Sequence, residues 1–316
     1  MRSDVKASIS FSTALQRLIL TEHPKPVISR YELVGYMVKL YHTKTYAGLP
    51  IGKLTSDLPQ QTVIERNLDS LVNKGILTQF ANLPVFAVAG LTAPTAQQVI
   101  CTLNPFCYLS HLSAMEWHHL TDRIPHTVHV TTCTASEFRR LAEEKAKQDF
   151  QPFPTLADIP CKHHKPGGEI QAKTIQEHTR KDYHPYPEQH GSGGIRVAPI
   201  GRTFLDMLQE PDYCGGFSHV LEVFTEYAGH YLPVILKTID KEGKVIDKVR
   251  AGYILQERLG HQHPTIEGWK ALVQRGGSRK LLATEPYKDS YSETWCISVN
   301  LPDGNRDTCL SSPIYE

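Results

Sequence analysis

A chain of 316 residues has room for two or three domains, and 40% hydrophobic with 21% charged residues excludes a disordered or fibrous polymer. The formal net charge of +1 conceals an asymmetry: residues 1–90 hold ten Lys/Arg against six Asp/Glu, a surplus of four, and the remainder holds 24 against 27, a deficit of three. A mild cationic surplus in the first part favours a polyanionic partner there, because Lys and Arg neutralising phosphates supply most sequence-independent nucleic-acid affinity.

Three helical patterns lie in that first part, over residues 12–20, 29–41 and 60–73. His23-Pro24-Lys25-Pro26 closes the first by removing amide donors. Ser29 with Glu32 three residues on has the spacing of a capping box for the second. Gly75 suits the residue after the third helix, and 76–80 with 85–89 around Ala81-Asn82-Leu83-Pro84 forms a hairpin pattern. A short segment over 51–58 joins the second and third helices. Beyond residue 90 the sequence predicts a helix near 109–120, a strand over 127–131 and a charged helix from Ser136. A His-, Pro- and Gly-rich stretch at 151–194 then reads as strands with long loops. Ile195-Arg196-Val197 is expected as a strand feeding a helix near Gly201-Arg202-Thr203, followed by helices over 220–227 and 245–259 and a strand over 295–301. The fold class is therefore α+β: a winged helix-turn-helix over residues 1–90, then a mixed α/β domain over 91–316 carrying the 151–194 insertion.

At 100° per residue, Ile64, Leu68, Leu71, Val72 and Gly75 form the apolar stripe of the third helix, and Thr62, Arg66, Asp69 and Asn73 project opposite. In a helix-turn-helix the second helix enters the major groove N-terminal end first, where Arg can donate twice to guanine and Gln or Asn can pair with adenine. Gln60, Gln61, Thr62 and Arg66 occupy that end, with Asn73 on the same face. Glu65 and Asp69 oppose the reading, since carboxylates repel phosphates. The hairpin favours it by supplying a wing, with Lys74 beside it. Lys53 and Lys44 are expected to contact phosphate and position the module without reading sequence.

These residues resemble the AbiEi-type antitoxins, transcriptional regulators of abortive-infection type IV toxin–antitoxin systems. Glu65-Arg66-Asn67-Leu68-Asp69-Ser70-Leu71-Val72-Asn73-Lys74-Gly75-Ile76-Leu77 is similar to the family's helix, K-G-hydrophobic and wing arrangement. Tyr108-Leu109-Ser110-His111-Leu112-Ser113-Ala114 with His119-Leu120-Thr121 and Val128-His129-Val130 resembles its joining segment. Ile195-Arg196-Val197-Ala198-Pro199, then Arg202-Thr203-Phe204-Leu205-Asp206-Met207-Leu208, Cys214-Gly215-Gly216, Arg250-Ala251-Gly252-Tyr253-Ile254-Leu255 and Leu259-Gly260 follow in the family's order. The stretch 151–194 is longer than the family pattern. The resemblance implies a phage-defence repressor that binds inverted repeats of double-stranded DNA in its own promoter. It also implies a C-terminal domain for self-association and antitoxin activity, functionally paired with a nucleotidyltransferase-like toxin without a stable complex. A homodimer is expected from the symmetry of such operators.

Rival chemistries find less support. Cys161, His163, His164, His178, His184 and His190 lie close enough in sequence for zinc, but match no common zinc spacing, and no metal is expected. Seven cysteines, Cys101, Cys107, Cys133, Cys161, Cys214, Cys296 and Cys309, include no CxxC pair and fit reduced thiols. His118-His119 reads as the end of a core helix, and Asp206 with Arg202 one turn earlier reads as a structural pair. Neither 191–194 nor 275–280 contains a phosphate-loop pattern, although Arg275, Arg279 and Lys280 around two glycines suit a secondary phosphate contact. The alternative class is a DNA-targeted enzyme, a nuclease or metal-dependent hydrolase using the same targeting module. No carboxylate or His/Cys catalytic set is recognisable, so no catalytic residue and no cofactor is expected. With no apolar run of about 18 residues and no signal-peptide pattern at the start, no membrane partner is expected and the expected location is cytoplasmic.

Overall fold

A computed structural model describes residues 7–150, 161–165, 168–273 and 279–301. The chain is mixed α/β and divides into two compact units, Met1–Leu109 with His126–Val197, and Ser110–Pro125 with Ala198–Glu316. Both units are discontinuous in sequence, and the expected boundary near residue 90 falls inside the first. No helix among the described residues is long and apolar enough to cross a membrane.

The first unit opens with α1 (Phe11–Glu22), β1 (Val27–Ser29) and α2 (Arg30–Thr43). Ser10 caps α1, its Oγ accepting from the Thr13 amide. The expected capping box starts α2: Ser29 Oγ accepts from the Glu32 amide at 3.1 Å, and Glu32 Oε2 accepts from the Ser29 amide at 2.8 Å. Lys44 ends that helix in the left-handed region, and a small hairpin follows, β2 (Thr45–Tyr46) against β3 (Leu49–Pro50). Next come α3 (Gln61–Asn73), β4 (Leu77–Gln79) and β5 (Val85–Val88). The end of α3 is a Schellman motif: Gly75 has φ +67°, its amide donates to Val72 O, and the Ile76 amide reaches back to Leu71 O. β1, β5 and β4 form one antiparallel sheet in that order, with Val27 opposite Ala87 and Thr78 opposite Ala87 from the other side.

Leu15, Leu18 and Ile19 of α1, Leu33 and Met37 of α2 and Ile64, Leu68 and Leu71 of α3 close over Ile28, Leu77 and Phe86 of that sheet. Each large side chain so buried contributes roughly 1.5–3 kcal/mol. Ala146 and Phe150, at the end of α6 (Ala135–Asp149), belong to the same core. Tyr31 packs edge-on against Phe150 at 5.5 Å and donates to Asp149 Oδ2 at 2.9 Å. This shared packing explains why the unit continues past residue 90.

After α4 (Ala96–Leu103) the unit builds a second sheet, in the order β6 (Tyr108–Leu109), β7 (Thr127–Cys133), β9 (Lys173–Arg180) and β8 (Glu169–Ile170). β7 and β9 run parallel over seven residue pairs, Thr127 with Thr174 through Cys133 with Arg180. Parallel neighbours need a long crossover, and α6 lies in that connection. Within the stretch at 151–194, β9 therefore supplies an inner strand of the sheet and β8 an edge strand. Val128 and Val130 are fully buried on β7.

The second unit is mainly helical, with α5 (His111–Trp117), α7 (Ile200–Gln209), α8 (Phe217–Glu242), α9 (Val245–Gly252) and α10 (Pro264–Trp269). α8 is far longer than the helix expected at 220–227 and contains Pro233. The helix expected over 245–259 ends at Gly252 and continues as a π-helical turn, Tyr253–Arg258. Of the strand expected at 295–301, β11 (Ile297–Ser298) pairs with β10 (Tyr291–Ser292). Phe204, Phe224 and Trp295 are fully buried at the centre. Two glycines permit close approach there. A Cβ on Gly201 would lie 2.2 Å from Thr238 Oγ1 and 2.6 Å from Val234 O, and one on Gly252 would lie 2.1 Å from Trp295 Cη2. The expected Arg202–Asp206 pair forms with bonds of 2.9 and 2.6 Å to Oδ1, and Arg202 Nη2 also reaches Gln209 Oε1 at 3.0 Å. Gln209 in turn donates to Asp247 at 2.7 Å, whose carboxylate accepts from the Lys244 amide at the start of α9.

Candidate nucleic-acid interface

The apolar stripe of α3 is buried at Ile64, Leu68 and Leu71, with Val72 half-buried, while Gly75 is exposed at the turn. Asn67 is also buried, its amide donating to Val63 O one turn back at 2.8 Å. Gln61, Thr62, Glu65, Arg66, Asp69 and Asn73 are all exposed, so the polar face expected from the 100° projection is open to solvent. Gln60 supplies no side-chain cap, although its carbonyl accepts from the Val63 and Ile64 amides, which leaves the Gln61 and Thr62 amides to water or an anion.

Glu65 is the obvious electrostatic obstacle on this face, and its charge is matched. Arg30, the first residue of α2, donates from Nη1 to Glu65 Oε2 at 2.8 Å and from Nη2 to Oε1 at 2.6 Å. Gln61 donates to the same Oε1 at 2.5 Å. Hydrogen bonding to Arg30 lowers the Glu65 pKa below the usual carboxylate value and raises that of Arg30. The pair is half-exposed, so its contribution to stability is small, on the order of 0–1 kcal/mol. Its effect is on potential: the carboxylate is held ionised and neutralised beside Arg66.

Among the described residues, Arg66, Lys53 and Lys74 are exposed and make no ion pair. Lys53 sits in a tight turn with φ +64°, and Lys74 is the C-cap of α3 next to β4. Lys44 differs, since its ammonium lies 2.8 Å from Asp57 Oδ1, and that hydrogen bond lowers the Asp57 pKa. The β4–β5 turn is closed by the Phe80 amide donating to Val85 O and the Leu83 amide to Phe80 O.

The remaining sequence candidates are dispersed. Arg275 lies outside the described residues. Arg279 and Lys280 are half-buried, and Lys280 Nζ donates to Glu285 O at 2.8 Å. His163 faces Phe138 and stands 3.6 Å from Glu177, whereas His178 lies against His129 with ring nitrogens 3.1 Å apart. His118 caps α5, its Nε2 bonded to Ala198 O at 2.7 Å. The six cysteines among the described residues are buried, with no disulfide, and Cys309 lies outside them. Sequence reasoning missed Arg30, because its partner is 35 positions away and no local spacing signals the pair.

No known family model matches the chain, and no curated protein matches it. Among solved structures, the chain is similar to RV2827C protein from Mycobacterium tuberculosis, at 10% identity and a TM-score of 0.49, over 91% of this chain and 90% of that one. A likeness at this level says nothing of what either protein does.

Proposed function

We propose that the segment from α1 to β5 is a winged-helix DNA-binding module and that the chain is a sequence-specific transcriptional repressor acting as a homodimer. The observation that carries this reading is the exposed polar face of α3, with Gln61, Thr62, Arg66 and Asn73 beside a Glu65 whose charge Arg30 has matched. The order helix, strand, helix, small hairpin, helix and hairpin, with a three-stranded antiparallel sheet, supports it, since it sets a helix beside a wing. Arg66 and the amides of Gln61 and Asn73 are the base-reading groups, and Lys53 and Lys74 are phosphate contacts. A transcriptional reporter driven by the DNA upstream of the gene tests repression: supplying the chain in trans should silence it, and undiminished expression would contradict the reading.

The motif resemblance to AbiEi-type regulators supports a further role as the antitoxin of a type IV system, counteracting a nucleotidyltransferase-like toxin without forming a stable complex. Co-expression with a nucleotidyltransferase-like protein encoded beside the gene tests it. Restored growth is expected, and continued growth arrest would remove the antitoxin role while leaving the DNA-binding proposal intact.

A further inference from the structure

Within the first unit, a cavity of about 420 Å³ opens beside the N-terminal ends of α2 and α3. Lys25, Arg30, Lys145, Lys162 and Arg196 line it, and among the described residues the lining carboxylates are Glu32 and Glu188. Those two are already engaged. Glu188 Oε1 is shared between Lys25 at 2.8 Å and Arg196 at 3.5 Å, while Glu32 binds Ser29 through Oε2 and stands 3.7 Å from Lys25 through Oε1. Arg30 and Lys145 are each held by a carboxylate from outside the lining, Glu65 and Asp149, in partly exposed pairs that a stronger anion can displace at little cost. Lys162 is exposed and has no ion pair among the described residues. Part of the wall is apolar or aromatic, from Tyr31, Val34, Pro84, Val85 and Leu103, and Ser29, Gln61, Thr102 and His164 add neutral polar groups.

We propose that this cavity binds a small organic phosphate monoester and that its occupation weakens DNA binding. The size is within the range of small-molecule sites, roughly 300–1,000 Å³. The Arg196 guanidinium is taken up by the Cys101, Asn104 and Cys107 carbonyls and Glu188, so the donors for a head group are Lys25, Arg30, Lys145 and Lys162. A dianionic head group matches these clustered cations better than a neutral one does, and the Tyr31 wall accepts an attached planar or apolar body. The coupling follows from two shared residues. Arg30 and Gln61 line the cavity, and both hold Glu65 on the exposed face of α3. Drawing Arg30 toward a bound phosphate frees the Glu65 carboxylate, placing an uncompensated negative charge beside Arg66, where DNA phosphates must approach. Linkage makes the effect reciprocal: bound DNA weakens ligand binding by the same factor. The coupling half rests on the DNA-binding proposal above, and the binding half does not.

The test is calorimetric titration of the full chain with adenosine 5′-monophosphate, with adenosine and inorganic phosphate as probes lacking the anion or the body. Monoester binding at one per chain is expected, with adenosine at least tenfold weaker. Lys162→Gln, which removes no packing, should weaken the monoester at least threefold with the unfolding temperature unchanged, and Lys25→Gln, which also breaks the Glu188 pair, should weaken it at least as much. No binding of the monoester, equal binding of adenosine, or unaltered affinity in both variants would overturn the site. At saturating monoester, DNA affinity should fall about fivefold or more, within the usual range of allosteric coupling. Binding with unchanged DNA affinity would overturn the coupling alone. Absence of any DNA preference in a chain that does bind the monoester would count against the DNA-binding proposal and leave the site standing.

Discussion

Arg30 holds Glu65 through two parallel bonds, Nη1 to Oε2 at 2.8 Å and Nη2 to Oε1 at 2.6 Å, and so joins the first turn of α2 to the exposed face of α3. If that face meets DNA, the two partners should have opposite mutational signatures. Arg30→Gln leaves the Glu65 charge unmatched and should weaken DNA binding several-fold. Glu65→Gln removes the charge and frees a cation, so it should strengthen binding and steepen the salt dependence by about one phosphate equivalent. Folding stability should change by no more than about 1 kcal/mol in either case. Anisotropy titrations at several salt concentrations check this, and equal affinities for both variants would contradict it.

Arg66 is exposed on the same face and has no ion pair among the described residues. Arg66→Ala should cost about 1–3 kcal/mol of specific binding, the usual range for a base-reading arginine, with the circular-dichroism spectrum intact. Competition against random duplex separates a lost base contact from a lost phosphate contact. Only the former reduces preference as well as affinity, and unchanged affinity would mean that α3 does not carry the contact.

Gly252 lies against the buried Trp295 indole so closely that an added Cβ would fall 2.1 Å from a ring atom. The ring is fully buried. Gly252→Ala should therefore destabilise the second unit by about 1–3 kcal/mol or more through overpacking. Urea unfolding followed by tryptophan fluorescence measures this, and a midpoint equal to that of the parent chain would contradict the packing described.

Burial lowers the His118 imidazole pKa below its ordinary 6.5, against the pull of the Ala198 carbonyl that its Nε2 contacts. At a pH between the lowered folded value and 6.5 the unfolded chain binds the proton and the folded chain does not. Stability from this group is thus complete above about pH 6.5 and declines as pH falls toward the folded value. The His118 ring resonances should titrate below 6.5, and urea midpoints should fall on acidification less steeply in His118→Gln than in the parent. A titration at or above 6.5 would contradict the assignment.

What the sequence made legible was short in range. The Ser29–Glu32 box and the Gly75 terminus are set within five residues of chain, and the exposed face of α3 follows from its own periodicity. The β2–β3 hairpin went unread because its turn is Ala47-Gly48, with φ +49° at a residue that seldom takes such values. β9 was hidden by its polarity, since no residue of Lys173–Arg180 is fully buried and its place in the sheet is fixed by pairing with β7. The Arg30–Glu65 bond and the Gly252–Trp295 contact join residues 35 and 43 positions apart, where no local pattern operates. The cavity is assembled from seven separate segments and has no linear signature.

The central claim, sequence-specific binding of DNA by the face of α3, is tested most directly by the ratio of two dissociation constants. Fluorescence anisotropy at physiological salt would compare the DNA upstream of the gene with a random duplex of equal length. A ratio of roughly 10³ or more is expected for a specific regulator. A ratio near one, with both affinities collapsing together as salt rises, would contradict it.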